Sequence, residues 1–177
     1  KPMVELETFL QSTSSVPDEI LTRLTFNGTN GSTYGYSTTG LAAGDKLRFA
    51  LQADATGLST GRYAYTFRVT ARYGTTYNDH DYTGYVEVVN RGTSTHEFGR
   101  GWQLAGLDKL VSATGGVILV RSSGDALWFA DDGSGGYLKA DGDETFSNLV
   151  KNGGDNTFTL TDKHGIKENF GTTGLLT

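Results

Sequence analysis

The chain has 177 residues, with 25 Gly, 2 Pro, no Cys and a formal net charge of −5. That length suffices for one sandwich-sized domain or two small ones around a real apolar core. The missing thiols exclude disulfide frameworks, thiolate zinc sites and cysteine nucleophiles, and the acidic balance argues against a nucleic-acid partner.

The first half reads as short strands and tight turns. Asn27-Gly28, Asn30-Gly31, Ala43-Gly44-Asp45 and Asn78-Asp79 are turn signals. Leu47, Phe49 and Leu51 alternate with polar neighbours, which predicts a strand. The clearest strand comes next: Tyr63, Tyr65, Phe67, Val69, Ala71 and Tyr73 point one way, and Arg62, Thr66, Arg68, Thr70 and Arg72 the other. Val86, Val88 and Val89 mark a returning strand. This pattern predicts an all-β fold whose residues 1–96 form an antiparallel sandwich, jelly-roll or immunoglobulin-like.

Gly57-Leu58-Ser59-Thr60-Gly61 matches the Gly-x-Ser-x-Gly pattern of a hydrolase elbow. That elbow needs a helix after it, and a strand follows here, so a turn is expected. His80, His96 and His164 lack the spacing of a metal pair. No catalytic constellation assembles, so the chain is expected not to be an enzyme.

Asn90–Glu97 is polar and reads as a connector, and a short helical turn is expected near Leu107–Val111. The texture then becomes repetitive. Leu119, Gly124 and Phe129 recur as Leu160, Gly165 and Phe170, each 41 residues on. Each copy reads strand, Gly turn, strand, and each closes on Gly and Leu, as Gly136-Tyr137-Leu138 and Gly174-Leu175-Leu176. A lone hairpin cannot bury its apolar face, so the copies should stack, with further copies to follow. Residues 97–177 hold 7 basic and 11 acidic side chains, which makes this the acidic half.

These residues carry a resemblance. Gly99-Arg100-Gly101-Trp102-Gln103-Leu104-Ala105-Gly106-Leu107, with the units around Gly124–Phe129 and Asp162–Phe170, resembles the head of bacterial RHS/YD-repeat proteins. No Tyr-Asp dipeptide occurs, so the likeness is to the divergent start of such an array. It implies a large secreted or cell-surface protein whose β repeats wind into a shell or stalk. The chain begins at Lys1, in keeping with a piece of something longer.

Candidate binding residues follow from chemistry. Trp102 and Trp128 are the two Trp residues, and Tyr77 and Tyr82, with Tyr34 and Tyr36, fall in segments read as loops. Exposed aromatics of this kind stack on sugar rings, so a polysaccharide is a candidate partner. Asp131, Asp132, Asp141 and Asp143 bracket a Gly-rich turn, and such oxygens would suit Ca²⁺, although the EF-hand spacing is absent. Asn27-Gly28-Thr29 and Asn30-Gly31-Ser32 are formal glycosylation sequons that read first as hairpin turns. Lys46 and Glu87, on expected strands, are candidates for an isopeptide crosslink. No apolar run is long enough to span a membrane as a helix. The function expected is a non-catalytic structural or interaction module that caps or spaces a β-repeat assembly in a longer parent chain. The alternative is a carbohydrate-binding module.

Overall fold

The computed structural model describes residues 1–11, 15–90, 106–140 and 146–177, and every regular element in them is a strand. The chain divides into two compact units, residues 1–57 with 63–86, and residues 58–62 with 87–177.

The first unit is an antiparallel β-sandwich. Strand β1 (Met3–Phe9) pairs with β4 (Lys46–Gln52), setting Val4 opposite Leu51 and Leu6 opposite Phe49. Strands β2 (Glu19–Phe26), β3 (Thr29–Ser37), β5 (Gly61–Tyr73) and β6 (Thr76–Val88) form a second sheet in the order β3-β2-β5-β6. Alternate residues of β2, namely Ile20, Thr22, Leu24 and Phe26, are buried opposite Ala71, Val69, Phe67 and Tyr65 of β5. Period-two alternation thus puts one face of β2 and β5 into the core and leaves Arg23, Arg68, Thr70 and Arg72 on the other. The β2–β3 and β5–β6 links stay within one sheet, and the other links cross between sheets. This is a Greek-key order of the immunoglobulin type, not a jelly roll.

One expected turn is found in place and two shift. The β2–β3 turn is Asn27-Gly28, with φ of 48° and 75°, the left-handed pair a two-residue hairpin requires. Asn30-Gly31 lies inside β3, where a Cβ on Gly31 would stand 2.9 Å from the Leu24 carbonyl oxygen. The β5–β6 turn falls at Gly74-Thr75, and Asn78-Asp79 lies within β6. Side-chain bonds from β5, such as Thr70 Oγ1 donating to Asp79 Oδ1 at 2.7 Å, hold these residues to the neighbouring strand. Tyr34, Tyr36, Tyr77 and Tyr82 therefore sit on strands rather than loops. Ser59 precedes β5, so the Gly-x-Ser-x-Gly segment leads into a strand.

The second unit holds two three-stranded sheets. One runs β7 (Lys109–Ala113), β8 (Gly116–Val120), β9 (Ala126–Ala130); the other runs β10 (Asn148–Lys151), β11 (Phe158–Thr161), β12 (Lys167–Phe170). The helical turn expected near Leu107–Val111 is instead β7, because Leu110 pairs opposite Leu119 and is buried beside it. Each copy of the repeat thus has three strands, and the two copies share one core. Leu110, Val117, Leu119 and Phe129 come from the first copy, and Leu149, Phe158, Leu160 and Phe170 from the second.

The turns repeat to the hydrogen bond. Arg121 N donates to Asp125 O at 2.8 Å and Gly124 N to Arg121 O at 2.9 Å; Asp162 N donates to Ile166 O and Gly165 N to Asp162 O, both at 3.0 Å. Gly124 and Gly165 have φ of 97° and 80°, which explains the repeated glycine. After each hairpin the chain makes a closing turn. Asp132 N bonds Gly136 O in one copy and Gly171 N bonds Leu175 O in the other. These turns are reciprocal across the pair. Gly136 of the first copy bridges Val150 on β10 of the second, while Leu175 of the second bridges Lys109 on β7 of the first. Stacking is therefore found, but as a pair closed on itself rather than as an open row.

Candidate functional site

The outward face of β2, β5 and β6 carries the densest polar chemistry of the first unit. Arg68 is forked onto Asp81, Nε to Oδ1 and Nη2 to Oδ2 at 2.7 Å each, while its Nη1 lies 3.1 Å from Asp79 Oδ2. Arg72 Nε donates to Glu19 Oε2 at 3.0 Å. The bond from Arg68 holds the Asp81 carboxyl below the usual range, and the same pairing raises the Arg68 guanidinium further. Each carboxylate here is paired with a guanidinium, so the charges are balanced locally. Between them opens a shallow cleft of about 310 Å³, whose lining includes Leu21, Arg23, Thr33, Thr70 and Tyr77. Arg23 Nε is buried without a hydrogen-bond partner, and Tyr77 is 57% exposed at the rim. A free guanidinium N–H, two hydroxyls and an exposed ring suit a hydroxyl-rich or carboxylate ligand.

Tyr82 lies on the other face of β6. It lines a larger cleft between the sheets, about 510 Å³, with His80, Ile20, Leu47 and Val69 among its walls. The rings of His80 and Tyr82 are 4.9 Å apart and tilted by 57°. Tyr82 OH is 3.4 Å from Thr8 Oγ1 of β1. Tyr77 and Tyr82 therefore form no common platform: residues five apart on a strand face opposite ways.

In the second unit Trp128 is half-buried on β9, opposite Ile118, which is fully buried. Its ring lies against Gly116, where an added Cβ would be 2.7 Å from Trp128 Cζ2. This is packing geometry, not an open stacking platform. Trp102, Asp141 and Asp143 lie outside the described residues. Asp131 and Asp132 are committed to their turn. Asp131 Oδ1 accepts from Gly133 N at 2.8 Å, and Asp132 Oδ1 accepts from Ser134 N, Ser134 Oγ and Gly136 N at 2.7–2.9 Å. The Ser134 and Gly136 donors hold the Asp132 carboxyl below its ordinary range. Among the described residues no three Asp, Glu or His side chains have metal-binding geometry. Lys46 is exposed and pairs with Glu7 at 2.7 Å, and Glu87 lies 3.5 Å from Arg62, so neither has the buried setting of a crosslink.

One cluster had no sequence signal. Arg121 and Asp108 pair at 3.5 Å, and Glu168, Ser147 and Asp162 join Arg121 around a cleft of about 80 Å³. Burial pushes the Glu168 carboxyl above the usual range, and the Asp108 charge adds to this. Its Oε2 is buried without a partner. The three residues that matter are separated by 13 and 47 positions, and only the shared core brings them together. Comparison with protein-family models, with curated proteins and with solved structures finds no match for this chain.

Proposed function

We propose that the chain is a non-catalytic structural module of a longer exported or cell-surface protein, in which the hairpin pair caps a β-repeat assembly. The observation that carries this reading is the reciprocal closure of the two copies. A row of stacked repeats ends in open strand edges, and open edges template unwanted pairing. A pair whose closing turns pair with each other's first strands ends a row rather than extends it. The resemblance of residues 97–177 to the head of RHS/YD-repeat proteins agrees with that place at one end of an array.

Sedimentation of the full chain across a wide concentration range tests the reading. A monomer throughout, turning into an associating species when Gly174→Ala displaces the closing turn from β7, is the expected result. Association of the unaltered chain through the β7 or β10 edges would overturn it.

The second reading, a carbohydrate-binding module, is favoured by the Arg23 and Tyr77 cleft. Affinity electrophoresis in a panel of polysaccharides would support it if one glycan retards the chain and Tyr77→Ala abolishes the retardation. Equal mobility in all of them would remove it.

A further inference from the structure

The two sheets of the first unit are unequal: two strands face four. In an immunoglobulin-type sandwich, the strand that corresponds to β1 has neighbours on both edges. Here, among the described residues, β1 pairs with β4 alone, so half of its main-chain N–H and C=O groups face an open edge. The Tyr36–Phe49 ring contact, with centroids 5.1 Å apart, sets β4 over β3, and the Thr8–Tyr82 approach sets the end of β1 over β6. The open edge of β1 therefore lies on the β6 side. The 510 Å³ cleft lies there too, lined by apolar groups of both sheets that include Leu10, Ile20, Leu47, Val69 and Ala71.

We infer that this edge takes up an extended peptide strand from a partner, added to β1 with alternate apolar side chains set into the cleft. Main-chain bonds to β1 would supply affinity, and the cleft would select the inward side chains. Charge defines the outward side chains. Glu5 and Glu7 stand on the solvent face of β1, half-exposed, held from the β4 side by Arg48 and Lys46. Their other flank faces the vacant position, so Lys or Arg on the incoming strand completes them. The same charges disfavour a second copy of the chain. Each well-overlapped antiparallel register of β1 with itself that keeps the apolar faces on one side sets Glu5 against Glu7, or one of them against its twin. The partner is thus a strand of alternating apolar and basic residues. This inference stands apart from the capping role of the hairpin pair.

The test uses the full chain and a synthetic peptide of about seven residues alternating Val and Lys. Amide hydrogen exchange should show new protection on the open-edge N–H groups of β1, with shifts at His80 and Tyr82. A peptide with Glu in place of Lys should bind roughly threefold to tenfold more weakly. The double variant Glu5→Lys, Glu7→Lys should reverse that preference, while Phe67 exchange reports that its sandwich is intact. Three outcomes overturn the inference: no protection at saturating peptide, protection on the β3 or β6 edge instead, or equal binding by a peptide methylated at every main-chain amide nitrogen. β1 protection that grows with protein concentration in the absence of peptide would assign the edge to a second copy and also overturn it.

Discussion

The two units are built from the same parts and end differently. In the sandwich, β1 keeps, among the described residues, an open edge above an apolar cleft. In the hairpin pair, each copy gives its closing turn to the other, and apolar side chains from both copies meet in one core. The difference lies in the turns rather than in strand composition. A sandwich strand is placed by the sheet opposite it, so an edge can remain vacant without exposing the buried face. A three-stranded sheet has no such partner and must use its twin. In this chain it is the turn after each hairpin that seals the pair.

The strongest test of the shared core removes one of its rings. Phe129 and Phe170 are both fully buried. Phe129→Ala or Phe170→Ala should each cost about 3–5 kcal/mol in denaturant unfolding. Either change should release amides of both copies, β8 and β11 alike. Loss confined to the altered copy would mean two separate cores and would undo the comparison.

The next test separates the two closing turns. Gly135 and Gly174 occupy the same place in each, with φ of 91° and 78°. A side chain in that region strains the backbone by about 1–2 kcal/mol. At Gly135 a Cβ would meet nothing within 4 Å, whereas at Gly174 it would stand 2.1 Å from the Leu110 carbonyl oxygen. Leu110 N also donates to Gly174 O at 2.8 Å, so this turn and β7 cannot separate without losing that bond. Gly135→Ala should cost only the strain, and Gly174→Ala should cost about 3 kcal/mol or more. Equal losses in thermal unfolding would show that the β7 contact contributes nothing.

Much of this architecture can be read from residues, and the exceptions have physical causes. Tyr63–Tyr73 announces β5 because a central strand with one face in the core must alternate. The first half of β6 does not, since Tyr77–Asp81 is polar on both faces and resembles a turn. β7 escapes because five residues with one buried side chain carry too short a period. The repeat is visible through Phe and positive-φ Gly, while its reciprocal closure is made of main-chain bonds that leave almost no side-chain trace. The candidate site divides in the same way. The outward Arg and Thr residues of β5 were legible, but their union with Arg23 and Tyr77 depends on pairing across three strands. Tyr77 and Tyr82 could be taken as one surface only while their segment was read as a loop.

A smaller effect probes the sandwich core. Thr22 is fully buried and its Oγ1 has no hydrogen-bond partner. Thr22→Val keeps the branched shape and removes the unpaired hydroxyl, so it should stabilise the first unit by about 1 kcal/mol. A higher denaturant midpoint would agree. A lower one would mean that the hydroxyl is solvated, and that this core is less dry than that of the hairpin pair.

The last contrast is between two carboxyls of the hairpin pair that respond oppositely to acid. Asp162 caps its turn, with Oδ1 accepting from His164 N at 2.8 Å and Ile166 N at 2.9 Å. The Ile166 bond leads in holding its carboxyl below the ordinary range. Its folded-state pKa is therefore the lower one, and the stabilisation is present above about pH 4 and fades as pH falls through the folded value. Glu168 is the reverse. Burial raises its folded-state pKa, so stability is lost as pH climbs from about 4, the unfolded value, through the folded one. Asp162→Asn should lower the melting temperature at pH 7 and do little at pH 3. Glu168→Gln should raise it at pH 7, with the gain vanishing at pH 3. Parallel pH profiles for the two variants would mean that the buried Oε2 of Glu168 finds a partner in solution, and that the hairpin pair tolerates its charge as readily as the turn tolerates that of Asp162.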